Sequence, residues 1–398
     1  MRDHPRLFGL RVAASQERRR QEALKRQRSA RRSLTDHARR LCADDDRLAK
    51  VHSRAKLWWS EVCTPEWLVD VPDLNGRDHP HGLGWYVIPR PEGRRCVLVA
   101  CNGRTTARSL SGDVLETFCS ALPGGGSLKR DTHTVLDVIC ANDVYYVLDV
   151  MCWASYEVYD CTAEFRFFWL RTKLEEREDA RFRALPYFEC DPEGILNAYS
   201  RAPLPYIRDG LLFYDKRGHY ALGLTPLVSI WKDQATTRYF NVDLVLCLEV
   251  AEGGVFRTLD GLVISEIDAR YRSEKLLKVG DIARCRVAKD DGGGVFAKFD
   301  KKCSSKRAAP DSSSKLAFAL RHNTRGPLTI DAILQAAQTP ISKEVVAAAA
   351  AAAESQSQSQ SQSHHQGGGE EEKEEKDGLL CVPPVCCVPG DHHVGMVL

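Results

Sequence analysis

Residues 85–95 read WYVIPRPEGRR: strand-forming residues, a proline-bracketed turn, then two arginines that run into the apolar stretch CVLVAC. The pattern is that of two strands joined by a tight connection, with Arg90, Arg94 and Arg95 gathered around it. Three uses fit such a cluster: the remains of a catalytic site, a cradle for phosphates, or a solvated hairpin edge.

Outward from this hairpin the same rhythm continues. Between 61 and about 245, WYVIP, RCVLVAC, TVLDVIC, YYVLDVMCW, FRFFWL, GLLFY and TPLVSIW read as strands between Gly/Pro turns. From 246 to about 338, VFRTL, GLVISEI, DIARCRVA and GVFAKFD read as further short strands, and TIDAILQAA reads as a helix. The expected class is α+β. After about 340 a polyalanine run, Ser-Gln repeats, glycines and glutamates contain nothing that builds a core. The segments expected are therefore 1–43, a linker 44–60, a domain 61–245, a β-rich extension 246–340 and a disordered tail 341–398.

The chain of 398 residues is 43% hydrophobic and holds no apolar run long enough to span a bilayer as a helix, so no membrane partner is expected. Its arginine-rich start lacks the apolar core of a secretory signal. Fifteen cysteines are scattered through apolar stretches, without a CxxC pair or zinc spacing. They are expected as free thiols, and neither a metal site nor a cofactor is expected, the Cys381–Cys387 tail included.

The net charge of +2 hides an asymmetry: residues 1–43 hold 13 Arg/Lys against four Asp/Glu. The stretch SQERRRQEALKRQRSARRSLTDHARRL, without Gly or Pro, reads as one helix capped by Ser15. Its apolar residues are too sparse to bury a face, so it is expected to be disordered or frayed alone and to fold on a partner. Nucleic-acid phosphates, an acidic protein groove and plain solvation are all open to such a helix. HPRL before it and HARRL at its end supply anchors that favour a protein receptor with defined pockets.

Five stretches, TPEWLVDVP (64–72), ALPGGG (121–126), YYVLDVMCWASYEVYDCTAEFRFFWL (145–170), DGLLFYDKRGHY (209–220) and TPLVSIWK (225–232), resemble the snurportin family. Its members are import adaptors for spliceosomal small nuclear ribonucleoproteins with a 2,2,7-trimethylguanosine (m3G) cap. The likeness runs over about 4–232. It implies importin β as a partner of Arg6, Leu7, Arg18, Arg19, Arg20, Arg39, Arg40 and Leu41. It also implies capped U snRNA as cargo, an exportin for recycling, and shuttling between nucleus and cytoplasm.

The family's cap-binding domain is similar in fold to mRNA guanylyltransferases, and this bears on the hairpin. The enzymes' K-x-D-G-x-R pattern stands here as Arg90-Pro91-Glu92-Gly93-Arg94-Arg95, and their D-G-E as Asp137-Val138-Ile139. An arginine in place of the lysine stays protonated and forms no phosphoramidate. The resemblance thus implies a binding site with no catalytic residue. DIARCRVA with FAKFDKKCSSKRAAP is reminiscent of the small β-barrel that follows the catalytic domain in capping enzymes.

A methylated cationic guanine calls for an electron-rich indole face. Trp231 is the expected stacking residue, although it falls one position later than in the animal pattern TPLVGW, which puts Ile230 at the usual site. Trp67 is expected to wall the pocket, and Trp153 and Trp169 to pack in the core. Arg95, with Arg94 beside it, matches a cap-contacting arginine; Arg90 stands where the animal pattern has a thiol. Arg108 is expected to replace a phosphate-side lysine absent at Leu110. The alternatives to a cap-binding adaptor are a general RNA-binding protein and an active RNA guanylyltransferase.

Overall fold

The computed structural model describes residues 5–27, 37–50, 58–76, 84–126, 131–177, 179–240, 244–273, 277–289, 295–303 and 309–338, without the side chains of 5–15, 44–50, 272–273 and 289. The low-complexity tail and its cysteines lie outside these residues.

Mixed α+β structure dominated by sheet is what the strand-like runs build. In chain order the first strands are β1 (Cys63–Trp67), β2 (Trp85–Pro91), β3 (Arg94–Cys101), β4 (Arg104–Ser109), β5 (Val114–Phe118), β6 (Thr134–Ala141), β7 (Val144–Trp153) and β8 (Tyr156–Glu157). After them come β9 (Phe182–Ala184), β10 (Phe188–Glu189), β11 (Arg208–Asp215) and β12 (Gly223–Trp231). One sheet has the order β1-β12-β11-β2-β10, and a second runs β5-β4-β3-β6-β7-β8 with β9 alongside β7. β2 and β3 flank the turn at 92–93, but they pair with different neighbours in different sheets, so the stretch is not a hairpin. Gly93 is required between them, because a Cβ there would meet the Cys140 carbonyl oxygen at 2.4 Å.

Ile88, Leu212 and Ile230 of the first sheet and Val97, Val99 and Ile139 of the second form one core between the sheets. Alternation sends the other faces of the same strands outward into separate cores, such as Trp85, Leu211 and Trp231 behind the first sheet.

The run FRFFWL departs from the strand expectation. It lies in α3 (Ala163–Glu175), started by Thr162, whose hydroxyl accepts from the Phe165 amide. Aromatic runs fit a buried strand or a buried helix alike. Here Phe167 and Leu170 pack into the two cores on either side of the helix, while Arg166 turns to Asp149 on β7. Trp153 is buried, as expected; Trp169 is partly covered by Phe165 at 5.7 Å.

The basic N-terminal segment also differs. It forms α1 (Pro5–Arg26) and α2 (His37–Lys50), so Ser15 lies inside a helix rather than capping one. From Gln16 onward α1 is packed against the domain, without an apolar stripe. Gln16 and Arg19 donate to Glu66, Arg20 is buried over the Trp85 ring at 5.1 Å and donates to the Pro226 carbonyl at 3.1 Å, and Gln27 bonds Arg217 and His219. In α2, His37 bonds Tyr159 at 2.6 Å and Glu61 at 2.7 Å, and Ala38 and Leu41 are buried. Hydrogen bonds, ion pairs and cation–π contacts hold what hydrophobicity alone would not.

Beyond β12, strands β13 (Val245–Ala251), β14 (Val255–Arg257), β15 (Val263–Glu266), β16 (Ile282–Lys289) and β17 (Val295–Lys302) form an antiparallel sheet in the order β15-β14-β13-β16-β17. Between β15 and β16 lies the short α5 (Ala269–Ser273), as α4 (Pro192–Leu196) lies between β10 and β11. Ser265 on β15 accepts from the Ala297 amide on β17, which draws the two outer strands together. Helix α6 (Ser313–Arg325) places Leu316 and Leu320 in the core of this sheet and Phe318 against Trp67. It is followed by α7 (Ile330–Gln338), whose Ile333 and Ala337 pack behind the first sheet.

Candidate functional site

Arg90 ends the inward-facing series Tyr86, Ile88, Arg90 on β2, and Arg95 begins the series Arg95, Val97, Val99 on β3. Both side chains come to the seam between the two sheets, and each meets a carboxylate from a different strand.

Arg95 is held by Asp137 on β6. Its Nε donates to Oδ1 at 2.9 Å and its Nη2 to Oδ2 at 2.5 Å, with a further bond to the Cys63 carbonyl. Tyr220 donates its hydroxyl to the same carboxylate at 2.9 Å and accepts from the Cys63 amide at 3.0 Å. Burial pulls the Arg95 guanidinium down, but the charge and hydrogen bonds of Asp137 outweigh it and leave the pKa raised. Burial also pushes the neighbouring Cys63 thiol up to about 12. Asp137 is therefore a buried counter-ion for Arg95.

Arg90 meets Asp209, at the start of β11, and so does Lys232, immediately after β12. Lys232 Nζ reaches Asp209 Oδ1 at 2.5 Å, Thr237 donates to the same oxygen at 2.6 Å, and Arg90 Nη1 contacts Oδ2. Gly210 makes this possible. Its φ is +91°, and a Cβ there would approach both the Trp231 carbonyl oxygen and Lys232 Cγ to 2.6 Å. Two cations thus share one carboxylate at a partly covered place. Burial lowers the pKa of Arg90 with Asp209 only partly offsetting it, and burial and then the charge of Arg90 lower that of Lys232. An anionic group entering here would meet positive charge already assembled and mostly dehydrated.

Two exposed apolar side chains, Tyr239 and Ile207, are connected to this cluster through backbone hydrogen bonds and an ion pair. Tyr239 is 72% exposed, its amide bonds the Thr237 hydroxyl, and Arg238 lies over its ring at 6.0 Å. Arg238 also pairs with Glu92 of the turn, and the Glu92 amide bonds the carbonyl of Ile207, which is 51% exposed.

Several expected site residues lie elsewhere. Trp231 is fully buried behind the first sheet, its indole N–H donating to the Leu328 carbonyl at 2.8 Å and its ring against Tyr199. A base has no access to that face, so Trp231 is corrected from a stacking residue to a core residue. Ile230, one position earlier, does face the inter-sheet core, because a shift of one residue in a strand reverses the face. Trp67 is half-buried under Phe318 of α6 at 4.9 Å. Arg94 is exposed and alternates away from Arg95, on the side of Cys96. Arg108 shares the inner face with Val97 but is 3% exposed, lying over the Trp58 ring at 5.5 Å and bonding the Gly112 carbonyl, which is no solvated edge.

Of the N-terminal residues, Arg18, Arg39 and Arg40 are exposed, whereas Arg20 and Leu41 are buried and Arg19 is paired with Glu66. Arg6 and Leu7 are in the backbone of α1, and their side chains lie outside the described residues.

Asp209, Lys232, Thr237 and Tyr239 went unrecognised as site residues in the sequence. The Asp-Gly pair opening DGLLFYD was the available signal.

The family model for the snurportin1 m3G cap-binding domain matches residues 61–233. Among solved structures, the ligase domain of M. tuberculosis LigD is similar at 13% identity, covering 61% of this chain and 93% of its own, with a TM-score of 0.32. A structure described as Pmar-Lig_PreS3 shows 14% identity, coverage of 62% and 67%, and a TM-score of 0.31. A study of Lig E DNA ligases contributes a chain at 12% identity, with coverage of 61% and 98% and a TM-score of 0.32. Likenesses this distant establish neither a shared fold nor a shared activity.

Proposed function

We propose that the chain is a non-enzymatic import adaptor, because residues 61–233 match the model of the snurportin m3G cap-binding domain. It holds the cap of U snRNA at the seam between the two sheets and presents residues 1–43 to importin β. Passage into the nucleus, return by an exportin, and a guanylyltransferase-like ancestry of the fold belong to the same reading.

The observation that carries it is the convergence of Arg90, Lys232 and Arg95 at one seam, with the exposed Tyr239 connected to it. Arg90 and Lys232 receive the cap's phosphate bridge, displacing part of their interaction with Asp209. Arg95, locked to Asp137, holds the wall of the site. Tyr239, rather than Trp231, offers a ring to the methylated base. A trimethylated guanine has lost its exocyclic N–H donors and suits an apolar surface. An unmethylated amine keeps two donors that lose water wherever the bound base covers them without offering a partner, at up to about 1–3 kcal/mol each.

Competition between trimethylated and monomethylated cap dinucleotides on the full chain tests this reading. The trimethylated cap should win. Tyr239→Ala should weaken it by about 1–3 kcal/mol, the usual range for base–aromatic stacking, while Trp231→Phe should leave affinity nearly unchanged. Equal binding of the two caps would sink the proposal, and a reversed order of the two variants would return the stacking role to Trp231.

No covalent guanylate should form. Arg90 replaces the nucleophilic lysine, and Lys232 is tied to Asp209. Incubation with labelled GTP and magnesium or manganese, then denaturing electrophoresis, should show no labelled protein. An acid-sensitive, base-resistant label would establish an enzyme instead.

A further inference from the structure

The sheet β13–β17 carries an arrangement that its own folding does not need. On the outward face of β16 and β17, Arg286 lies directly opposite Lys298, and the next rung sets Arg284 opposite Lys301. Like charges facing each other across antiparallel strands destabilise a sheet. Asp300 lies 3.4 Å from Arg284, which relieves one of the four cations. Arg286, Lys298 and Lys301 are exposed and have no ion-pair partner among the described residues. The rung beyond sets Phe296 opposite Ala288, and the Lys298 ammonium lies 5.5 Å from the Phe296 ring centroid. Phe296 is half-buried, so its ring is fixed while part of its surface stays open. Rungs on one face recur every two residues along β16, about 7 Å apart, while an irregularity at Asp300 sets Lys301 three residues from Lys298 on β17.

We infer that this face of β16 and β17 binds single-stranded RNA. Arg286, Lys298 and Lys301 contact successive phosphates, and Phe296 stacks on a base. Charge complementarity selects a polyanion, since three unpaired cations in a row are stabilised by phosphates and destabilised by each other. The aromatic ring among them selects a nucleotide chain over an acidic peptide, because every base offers a face to stack on. The inward residues Ala283, Cys285, Val287 and Ala297 belong to the core, so the rigid sheet holds the spacing of the cations. This surface is independent of the seam described above and does not require a cap.

The test is fluorescence anisotropy of a labelled, uncapped oligouridine of about 12 nucleotides, a length within the usual site size of single-strand binders. The full chain is titrated between about 50 and 200 mM salt. Arg286→Ala with Lys298→Ala should weaken binding at least about tenfold at the low-salt end. The double variant should reduce the slope of log affinity against log salt by about 1.4, since each single-strand phosphate contact contributes about 0.7. Phe296→Ala should also weaken binding, by about tenfold, with the slope unchanged. The double variant should melt no lower than the parent, because a like-charge rung has been removed. Binding of the trimethylated cap dinucleotide should be unaffected by all three substitutions, which separates failure here from failure of the cap-binding reading.

Affinity within twofold of the parent and an unchanged slope in the double variant would overturn the inference. So would loss of RNA binding in Arg18→Ala with Arg26→Ala instead, which would move the contact to α1. Displacement of the RNA by polyglutamate at equal charge, with Phe296→Ala silent, would make the face an acidic-protein site and overturn it equally.

Discussion

Arg166→Met should lower the free energy of unfolding by about 3–5 kcal/mol, the usual loss when one partner of a buried ion pair is removed. Arg166 and Asp149 are each almost wholly buried, joined by two parallel bonds of 2.8 and 2.9 Å. Arg166 Nη1 also donates to the carbonyls of Cys161 at 2.6 Å and Gly218 at 2.9 Å. One side chain thus ties α3, β7 and the loop after β11 together. Methionine fills the volume but leaves the carboxylate without a counter-charge and two carbonyls without donors. Burial already raises the Asp149 pKa with Arg166 present, and without it the shift is larger. The sign follows. The variant is penalised for an ionised Asp149 above the ordinary carboxylate pKa, and protonation relieves that penalty as the pH falls through the raised value. The gap in stability should therefore be widest near neutrality and narrow towards acid. Urea unfolding at several pH values measures it, and adding Asp149→Leu should restore a substantial part. A loss under about 1 kcal/mol, or one that grows in acid, would mean that the pair is not a main support of the fold.

Deletion of residues 1–43 should abolish importin β binding under the proposed function, while Glu66→Ala should strengthen it. The contacts that hold α1 in place use the same arginines proposed for importin β. Glu66 accepts from Arg19 at 2.7 and 2.9 Å and from Gln16 at 2.7 Å, while it is itself buried. A receptor can grip Arg19 and Arg20 only from molecules in which these bonds have opened, so its apparent affinity is reduced by the open fraction. Hydrogen bonds to charged groups contribute about 1.5–3 kcal/mol each. Releasing this cluster should tighten importin β binding on the order of ten- to a hundredfold. Arg19 is already partly exposed and is readily solvated once Glu66 is gone. Surface plasmon resonance with immobilised importin β distinguishes the outcomes. Undiminished binding by the deletion variant refutes the assignment of 1–43, and unchanged binding by Glu66→Ala refutes the competition.

Most strand positions, the turn between two strands at 85–95 and the basic character of the N-terminus were determined by the sequence itself. They follow from local properties: alternation or apolar runs, a Pro/Gly turn and a count of charges. The snurportin resemblance was equally legible, because it rests on contiguous segments such as VLDVMCW. What the tertiary structure decided was everything that depends on which face or which distant segment a residue meets. Trp231 and Ile230 are neighbours in sequence, and only the register of β12 against β11 assigns one to each side of the sheet. FRFFWL became helical because Thr162 caps it and Asp149, on another element, receives Arg166. The helix α1 was placed by Glu66 and Trp85, far along the chain, since its own apolar residues mark no face. Arg90, Asp209 and Lys232 form a cluster only where β2, β11 and β12 lie side by side. A carboxylate shared between two cations is a property of that juxtaposition, and short-range pattern carries no trace of it.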